Sequence, residues 1–596
     1  MGRSILHKLR QTFLPPESPQ ELFLRTLYHR LNASPWFINR QIKAARSSYR
    51  QWRDLQLHSL PPVRRDEAQP TVAFLLFTNS GQAAKAQQTF QSIAKLNSGS
   101  WQVIPITDDG SFPLDLKGSL EGERVLPPAN IGNLKQVIGE NIGVDFLVFC
   151  GAGDVFDGDI LDRFQAALSA NPAADIYYFD CELQQALPDP PLPFFKPTEN
   201  SPELLLSINY LSRGFIRRLS IKEMLSSLPE VEDTLGLELA MMLRLLEQGA
   251  RTCHIPRLLV SQAAACEDSA VELDAVIQEF LSGKGKNGVK IDRDSYGRRI
   301  GWKHIEPSVS IIILNRDHGA WLRTLVNSIF ALTDYSNYSL IIVDNNSTEA
   351  DVRAFYTELA DKHRVQVVHY DRDFNYSEAI NTGVEASQAE VIVLLNNDMQ
   401  VTSSKWLSEL VRWAVDPQIG VVGGKLLHRN GSIQHAGIIL GMNGFIGHLY
   451  LNAPEHYHGL AGSVDWYRNF YALTGACQAM RRRLFYQVGG YDERFRLAFG
   501  DIDFCLRVFK AGYRNLYNPY AELIHYEGGS RGYETPVKDI LLGYDELGSW
   551  LKEDDAYFSP NLTYTPIPQC NFTPGAVDAR LVNIENRKQT LESGKG

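Results

Sequence analysis

The chain has 596 residues, 44% hydrophobic and 21% charged, with a net charge of −10. That length is too great for one core and predicts about two to four domains, and the acidic balance argues against a nucleic-acid binder, which carries a basic face. Seven scattered cysteines without a CxxC pair point to neither a zinc site nor a disulfide framework, and no apolar run is long enough for a spanning helix or a signal-peptide core, so a reducing cytoplasm is the expected setting.

The first 65 residues hold twelve Lys or Arg against three Asp or Glu, interleaved with Phe13, Leu22, Phe23, Leu27, Trp36, Phe37, Ile38 and Trp52. Two readings stand: a peripheral arm attracted to anionic lipid, or a helical hairpin that packs on the next domain with its charges in water. From 70 the chain alternates strand and helix signals, with strands expected at 72–77, 103–107 and 145–150. The second ends in Asp108-Asp109-Gly110-Ser111 and the third in Gly151-Ala152-Gly153-Asp154. Such alternation implies βαβ units and a mostly parallel sheet. A charged, Gly-containing stretch up to Pro307 suggests a boundary.

The same pattern then returns. Strands are expected at 309–314, 340–343, 365–369 and 391–395, with helices at 320–332, up to about 360, and at 376–386. The strand ends carry Asn315-Arg316-Asp317, Asp344-Asn345-Asn346-Ser347 and Asn396-Asn397-Asp398. Asp108 matches Asp344 in order and Asp154 matches Asp398, an internal repeat at the scale of a whole domain. The fold class read from this is α/β, two tandem Rossmann-like domains with mostly parallel sheets behind a basic helical arm. The bounds are 1–69 for the arm, 70–266 for the first domain, 267–307 for a linker, 308–535 for the second domain and 536–596 for a C-terminal helix and tail.

Ligands of open α/β sheets bind beyond the carboxyl ends of the strands, where Asn315, Asp344 and Asp398 fall. Such a crevice suits a nucleotide: one carboxylate takes the N–H of a pyrimidine, the other holds a divalent cation on the diphosphate, Mg²⁺ or Mn²⁺ by the preference of hard oxygen ligands. The bland reading of Asn-Asn-Asp is a turn. No GxGxxG follows Leu314 and no GxxxxGK occurs, which speaks against dinucleotide and P-loop enzymes. Asp501 begins a helical pattern with apolar Phe499, Ile502 and Leu506. Its carboxylate there is favoured by the helix dipole and suits a general base, or it is an N-cap. His525 follows a short strand and is either structural or a ligand that helps Asp398 hold a metal.

Residues 308 to about 535 resemble a family 2 glycosyltransferase, the inverting, nucleotide-sugar-dependent kind with a GT-A fold. The resemblance is carried by Val309-Ser310-Ile311-Ile312-Ile313, Val343-Asp344-Asn345-Asn346-Ser347, Leu394-Leu395-Asn396-Asn397-Asp398, Gln434-His435-Ala436-Gly437, Leu473-Thr474-Gly475-Ala476-Cys477, Gly489-Gly490-Tyr491-Asp492-Glu493, the Asp501 segment, and His525-Tyr526-Glu527. It implies that Asp344 contacts the base and that Asn315, Asn375, Asn396 and Asn397 help to bind the donor. It further implies that Asp398 and His525 hold Mn²⁺ or Mg²⁺ and that Asp501 is the catalytic base. His435, Thr474, Gly475 and Asp503 are candidates for the sugar or acceptor site. Asn396 stands where the family's DxD motif has its first Asp and adds no charge, so metal binding leans on Asp398, His525 and the diphosphate.

In the first domain, Phe194-Phe195-Lys196-Pro197 and Ser201-Pro202-Glu203-Leu204-Leu205-Leu206-Ser207 resemble a segment of related two-domain bacterial glycosyltransferases. Glu238 precedes Arg244 by the six residues that separate Asp501 from Arg507, while Gly151-Ala152-Gly153-Asp154 has lost most of the DxD character. The first domain therefore reads as a degenerate transferase domain, or as a second active one in a bifunctional protein. A dead carbohydrate-binding scaffold and a nucleotidyltransferase are the other classes, the latter poorly served by Asn315-Arg316-Asp317-His318-Gly319. The expected donor is a UDP- or dTDP-sugar. The acceptor is a saccharide, lipid-linked saccharide or surface protein, and the setting is the cytoplasm or the inner face of the cell membrane. The loops around 435–457 and 465–477, with His448, Tyr457 and Trp466, are where a sugar would stack, and a loop with Gly528, Gly529 and Gly532 precedes a helix at 537–551.

Overall fold

A computed structural model describes residues 34–58, 69–96, 99–107, 125–126, 129–130, 134–139, 143–184, 192–222, 224–225, 234–263, 267–303, 306–360, 364–526, 535–572, 585 and 588–589. Asp108 to Ser111 and the Gly528 to Gly532 loop lie outside the described residues.

Two sheets carry the molecule. The first is built from β1 (Thr71–Phe77), β2 (Ser100–Thr107), β3 (Ala129–Asn130), β4 (Phe146–Gly151), β5 (Val155–Phe156), β6 (Ile176–Leu183), β7 (Phe215–Arg217) and β8 (Thr252–Gln262). The second is built from β9 (Val309–Asn315), β10 (Tyr338–Asp344), β11 (Val365–His369), β12 (Val391–Asn396), β13 (Met399–Val401), β14 (Ile419–Leu427), β15 (Cys477–Arg481) and β16 (Arg514–His525). Their spatial orders are β3-β2-β1-β4-β7-β6-β8-β5 and β11-β10-β9-β12-β15-β14-β16-β13, the same path with each strand replaced by its counterpart eight numbers on. The pairing sense repeats as well. β1 and β9 are parallel to both of their neighbours, β7 and β15 are antiparallel to both of theirs, and β6–β8 and β14–β16 are parallel. The tandem α/β architecture read from the sequence is present, and the repeat is one of topology rather than of a few motifs.

The central strands are buried along their length, as strands covered by helices on both faces must be. This is why they read as continuous apolar runs. The sequence places β11 and the start of β12 at their observed ends and shortens β10 by three residues, because Tyr338 and Ser339 lack the apolar character of the run they begin.

The stretch expected as a linker is built structure. It forms α3 (Glu267–Gly283) and an antiparallel hairpin of Asn287–Arg293 with Arg298–Lys303. The hairpin is fastened to the second domain by Lys286 to Asp416 (2.6 Å), Arg299 to Glu409 (2.9 Å) and the edge contact of Trp302 with Trp413. Charge made this segment look like a connector, yet Val276, Ile277, Leu281, Val289, Ile300 and Trp302 are all buried.

The arm and the tail are also packed. Among the described residues the arm is one helix, α1 (Pro35–His58), which buries Ile38, Ala45, Tyr49 and Trp52, the last edge-on to Phe195. After α6 (Val537–Glu546), Tyr557, Phe558, Leu562, Ile567 and Cys570 of the stretch expected as a tail are buried. Asn561 donates to Asp180 of the first domain (2.8 Å), Asp555 accepts from the Leu440 amide of the second, and the Cys570 amide donates to Ser48 of α1. One segment thus stitches three parts together. The Ser201 to Ser207 motif lies at the same junction. Glu203 pairs with Arg514 (2.7 Å), Ser201 bonds Asn469, and Ser207 accepts from the Tyr467 amide.

Candidate active site

A cleft of about 620 Å³ opens beyond the carboxyl ends of β9 and β12, lined among others by Asn315, Asn396, Asn397, Asp398, Gly475, Asp501 and His525. Parallel register explains the grouping. β9 pairs with β10 so that Asn315 faces Asp344, and with β12 so that Leu314 faces Asn396, which brings three strand ends to one level.

Asn315 is buried at the floor. Its Oδ1 accepts from Asn397 Nδ2 (2.8 Å) and its Nδ2 donates to Tyr356 Oη (2.9 Å). Tyr356 in turn donates to Asp344 Oδ1 (2.8 Å), and burial with the nearby carboxylate holds its phenol in the neutral form, well above the usual tyrosine range. Asp344 also receives the Ser347 amide. It stands one strand behind the cleft wall, reached through Asn315 and Tyr356. Asp317 is in the wall, and the amides of Glu349 and then Thr348 hold its carboxyl below the usual range. Arg316 and His318 line the same loop, and the sequence signal for them was only their place after the first strand.

Asp398 precedes β13, and β13 pairs with β16 so that Met399 faces His525. Asp398 Oδ1 and His525 Nε2 lie 3.2 Å apart, both side chains buried. Asp398 Oδ1 and His525 Nδ1 have no hydrogen-bond partner among the described residues. A buried carboxylate oxygen without a donor costs more than about 1 kcal/mol, and a cation is what such an oxygen beside an imidazole fits. Among the described residues no third Asp, Glu, His or Cys joins them.

Asp501 sits in the first turn of α5 (Gly500–Lys510). Its Oδ2 accepts from the Gly475 amide (2.6 Å) and its Oδ1 from the Ile502 amide (2.9 Å). These bonds fix the carboxylate's direction, and the helix N-terminus favours its charge. Gly475 stands in a tight place: a Cβ there would stand 3.0 Å from Asp501 Cβ and 3.2 Å from Tyr376 Oη. Thr474 and Gly475 both line the cleft.

Three sequence candidates stand elsewhere. Asn375 caps α4 (Tyr376–Glu385), accepting from Glu378 N and donating to the Glu493 carbonyl, and is not in the cleft wall. Asp503 pairs with Arg507 one turn on (2.8 Å), also outside the wall, and burial raises its carboxyl pKa. His435 is fully buried behind the wall, its Nδ1 3.0 Å from Nδ1 of His448, and it is His448 that reaches the cleft. Burial, then His448 and His525, hold the His435 imidazole well below its ordinary pKa and hence neutral.

The first domain has the same stations with other occupants. Asp154 precedes β5 as Asp398 precedes β13, and Val155 faces Ser261 where Met399 faces His525. Glu238 on α2 (Thr234–Glu247) accepts from the Arg213 amide (2.7 Å) as Asp501 accepts from that of Gly475, and Arg213 and Gly475 each stand two residues before the next strand. The Arg213 side chain then turns inward. It bonds Asp154 Oδ2 (2.5 Å) and Glu238 Oε2 (3.0 Å), all three residues being at most 5% exposed. An internal guanidinium bridges the two carboxylates.

Residues 308–489 match the model for glycosyl transferase family 2. The chain is 31% identical over 527 residues to the O-antigen biosynthesis protein RfbC of Myxococcus xanthus, covering 84% of this chain and 41% of that protein, so it spans less than half of that relative's length. It is 26% identical over 221 residues to an N-acetylglucosaminyl-diphospho-decaprenol L-rhamnosyltransferase of Mycobacterium tuberculosis, covering 33% of this chain and 68% of that one. Among solved structures it is similar to the mannosyltransferase PcManGT of Pyrobaculum calidifontis in complex with GDP-Man and Mn²⁺, at a TM-score of 0.32 and 14% identity over 55% of this chain and 83% of that one. Asp501 and His525 lie beyond the matched residues on the same cleft. The matched part of the second domain, which holds Asp398 and Gly475, is a family 2 glycosyltransferase domain.

Proposed function

We propose that the second domain transfers a sugar from a UDP- or dTDP-sugar to an acceptor hydroxyl with inversion of the anomeric centre. The observation that carries this is the arrangement on one cleft of a buried Asp398–His525 pair with unsatisfied atoms and an Asp501 carboxylate aimed by two backbone amides. Asp398 and His525 would hold Mn²⁺ or Mg²⁺, which when bound neutralises the charge that gathers on the leaving diphosphate. Asp501 takes the proton of the acceptor hydroxyl, which then attacks the anomeric carbon from the face opposite the diphosphate. Arg316, in the cleft wall beside His318, offers positive charge to phosphate oxygens. Asn315, Asn396 and Asn397 hold the floor on which the nucleotide lies, and Asp344 reaches the base through the Asn315–Tyr356 network. Thr474, Gly475 and His448 face the sugar or acceptor.

The relatives' printed roles, O-antigen biosynthesis and rhamnosyl transfer to a diphospho-decaprenol-linked sugar, support synthesis of a bacterial surface glycan, with a saccharide or lipid-linked saccharide as acceptor. The first domain, its two carboxylates bridged by Arg213, is read as non-catalytic, with a second active transferase domain as the alternative.

The test is release of nucleoside diphosphate from UDP-, dTDP- and GDP-sugars with and without Mn²⁺ or Mg²⁺. Release from one donor that needs metal and is lost in Asp398→Ala is expected. Release that survives Asp398→Ala would move the chemistry to the first domain. Pyrophosphate in place of nucleoside diphosphate would mean nucleotidyl transfer, and failure to bind any donor by calorimetry would leave a scaffold.

A further inference from the structure

Helix α1 has two unlike faces. One packs inward through Ile38, Ala45, Tyr49 and Trp52, anchored by the Tyr49 hydroxyl and Arg53 on Glu182 and by the Cys570 amide on Ser48. The opposite face presents Arg40, Lys43, Arg46 and Arg50, all exposed, with Trp36 at 69% exposure beside Arg40, whose guanidinium lies 5.7 Å from its ring. Trp36, Arg40, Lys43 and Arg50 follow one another at offsets of four, three and seven residues, which on an α-helix is a single stripe. No carboxylate pairs with Arg40, Lys43, Arg46 or Arg50 among the described residues, although the chain as a whole carries a net charge of −10. Basic charge is therefore concentrated on one side of one helix of an acidic protein. The two readings of the arm are not alternatives: the helix packs on the body and keeps its basic face outward.

We propose that this face docks the protein on an anionic lipid surface, with α1 lying in the plane of the headgroups. The chemistry favours lipid over other polyanions. A flat array of anionic headgroups matches a straight basic stripe, and an exposed Trp beside it suits the depth at which indole sits in an interface. A nucleic-acid site would call for a basic face or groove beyond one helix in a chain of opposite net charge. Because α1 is locked to the body by buried aromatic contacts, docking would orient both domains relative to the surface. The inference stands apart from the transferase reading, since none of these residues lines the cleft.

The test is sedimentation of the full chain with vesicles of phosphatidylglycerol and phosphatidylcholine, and with phosphatidylcholine alone. Binding to the anionic vesicles that vanishes at high salt, and none to the neutral ones, is expected. Reversal of the stripe by Arg40→Glu, Lys43→Glu, Arg46→Glu and Arg50→Glu together should weaken partitioning by at least about a hundredfold, given the contribution of each basic residue near a charged surface. Trp36→Ala should weaken it a few fold. Donor hydrolysis by the fourfold variant should be unchanged, which also shows that it folds. Equal partitioning of variant and wild type, equal binding to neutral vesicles, or no vesicle binding at all would overturn the proposal. Tighter binding of wild type to a duplex oligonucleotide than to anionic vesicles, lost in the same variant, would overturn it in favour of nucleic acid.

Discussion

The two domains share one strand order and differ at one decisive position. Where the second domain has Gly475, small enough to let Asp501 approach and leave the cleft open, the first has Arg213, whose guanidinium closes on Asp154 and Glu238. Where the second has His525 the first has Ser261. Both retain a carboxylate after the fourth strand and one on a later helix, Thr234–Glu247 in the first and Gly500–Lys510 in the second. The lesson is that paired carboxylates at corresponding stations do not make a site. In one domain the pair lines an open cleft, and in the other an internal guanidinium bridges it, which makes the same pair a structural feature.

That contrast can be broken most severely at Arg213. Arg213→Ala leaves two buried carboxylates facing each other and should cost about 3–5 kcal/mol, as removal of one member of a buried ion pair does. Denaturant unfolding reads it, and a loss under about 1 kcal/mol would mean the bridge is not what occupies the first domain's site. Next is Asp501→Asn, expected to lower nucleoside diphosphate release by at least about a hundredfold. Glu238→Gln, normalised to folded protein, should leave turnover unchanged. Equal losses from both would restore a catalytic role to the first domain.

A smaller effect concerns the seam between the domains. His458 packs edge-on to Trp466, which meets Phe194 of the first domain, and burial with the nearby Arg468 pushes its imidazole pKa down to about 4. The unfolded chain binds this proton near pH 6.5 and the folded chain does not, so stability is intact above that pH and falls as the pH drops toward 4. The slope is about 1.4 kcal/mol per pH unit from this group, and His458→Gln should flatten it in unfolding measured between those limits. Smallest is Gly475→Ala. The added methyl would press on Asp501 at 3.0 Å and should reduce turnover about tenfold while donor affinity, measured by calorimetry, holds.

Much of this was legible in the residues. The central strands read as continuous apolar runs because both of their faces are covered, and the carboxylates at their ends stood out because polar residues interrupt those runs abruptly. Asp154 was matched to Asp398, and Glu238 to Asp501, by spacing alone, and the topology agrees. Asn375 and Asp503 were misjudged for a local reason. Both lie in motif-like segments, yet the cap of α4 and the i,i+4 pair with Arg507 engage them outside the cleft wall. Segment 267–307 looked like a connector because charged and Gly residues interrupt its apolar ones, and the stretch after 551 because its apolar residues show no helical or strand period. Such residues still anchor a segment when each finds a pocket, as Trp302 and Tyr557 do.

What the sequence by itself determined is the tandem α/β repeat and the level at which its chemistry sits, since strand period, burial pattern and strand-end residues are local properties. Only the tertiary structure decided which repeat has an open site. That depends on Arg213 reaching Asp154, 59 residues away along the chain, and Glu238, 25 residues away. It also decided that Asp398 and His525, 127 positions apart, meet across β13 and β16 with atoms left unsatisfied. Charge compensation is a property of distance in space, and no spacing along the chain encodes it.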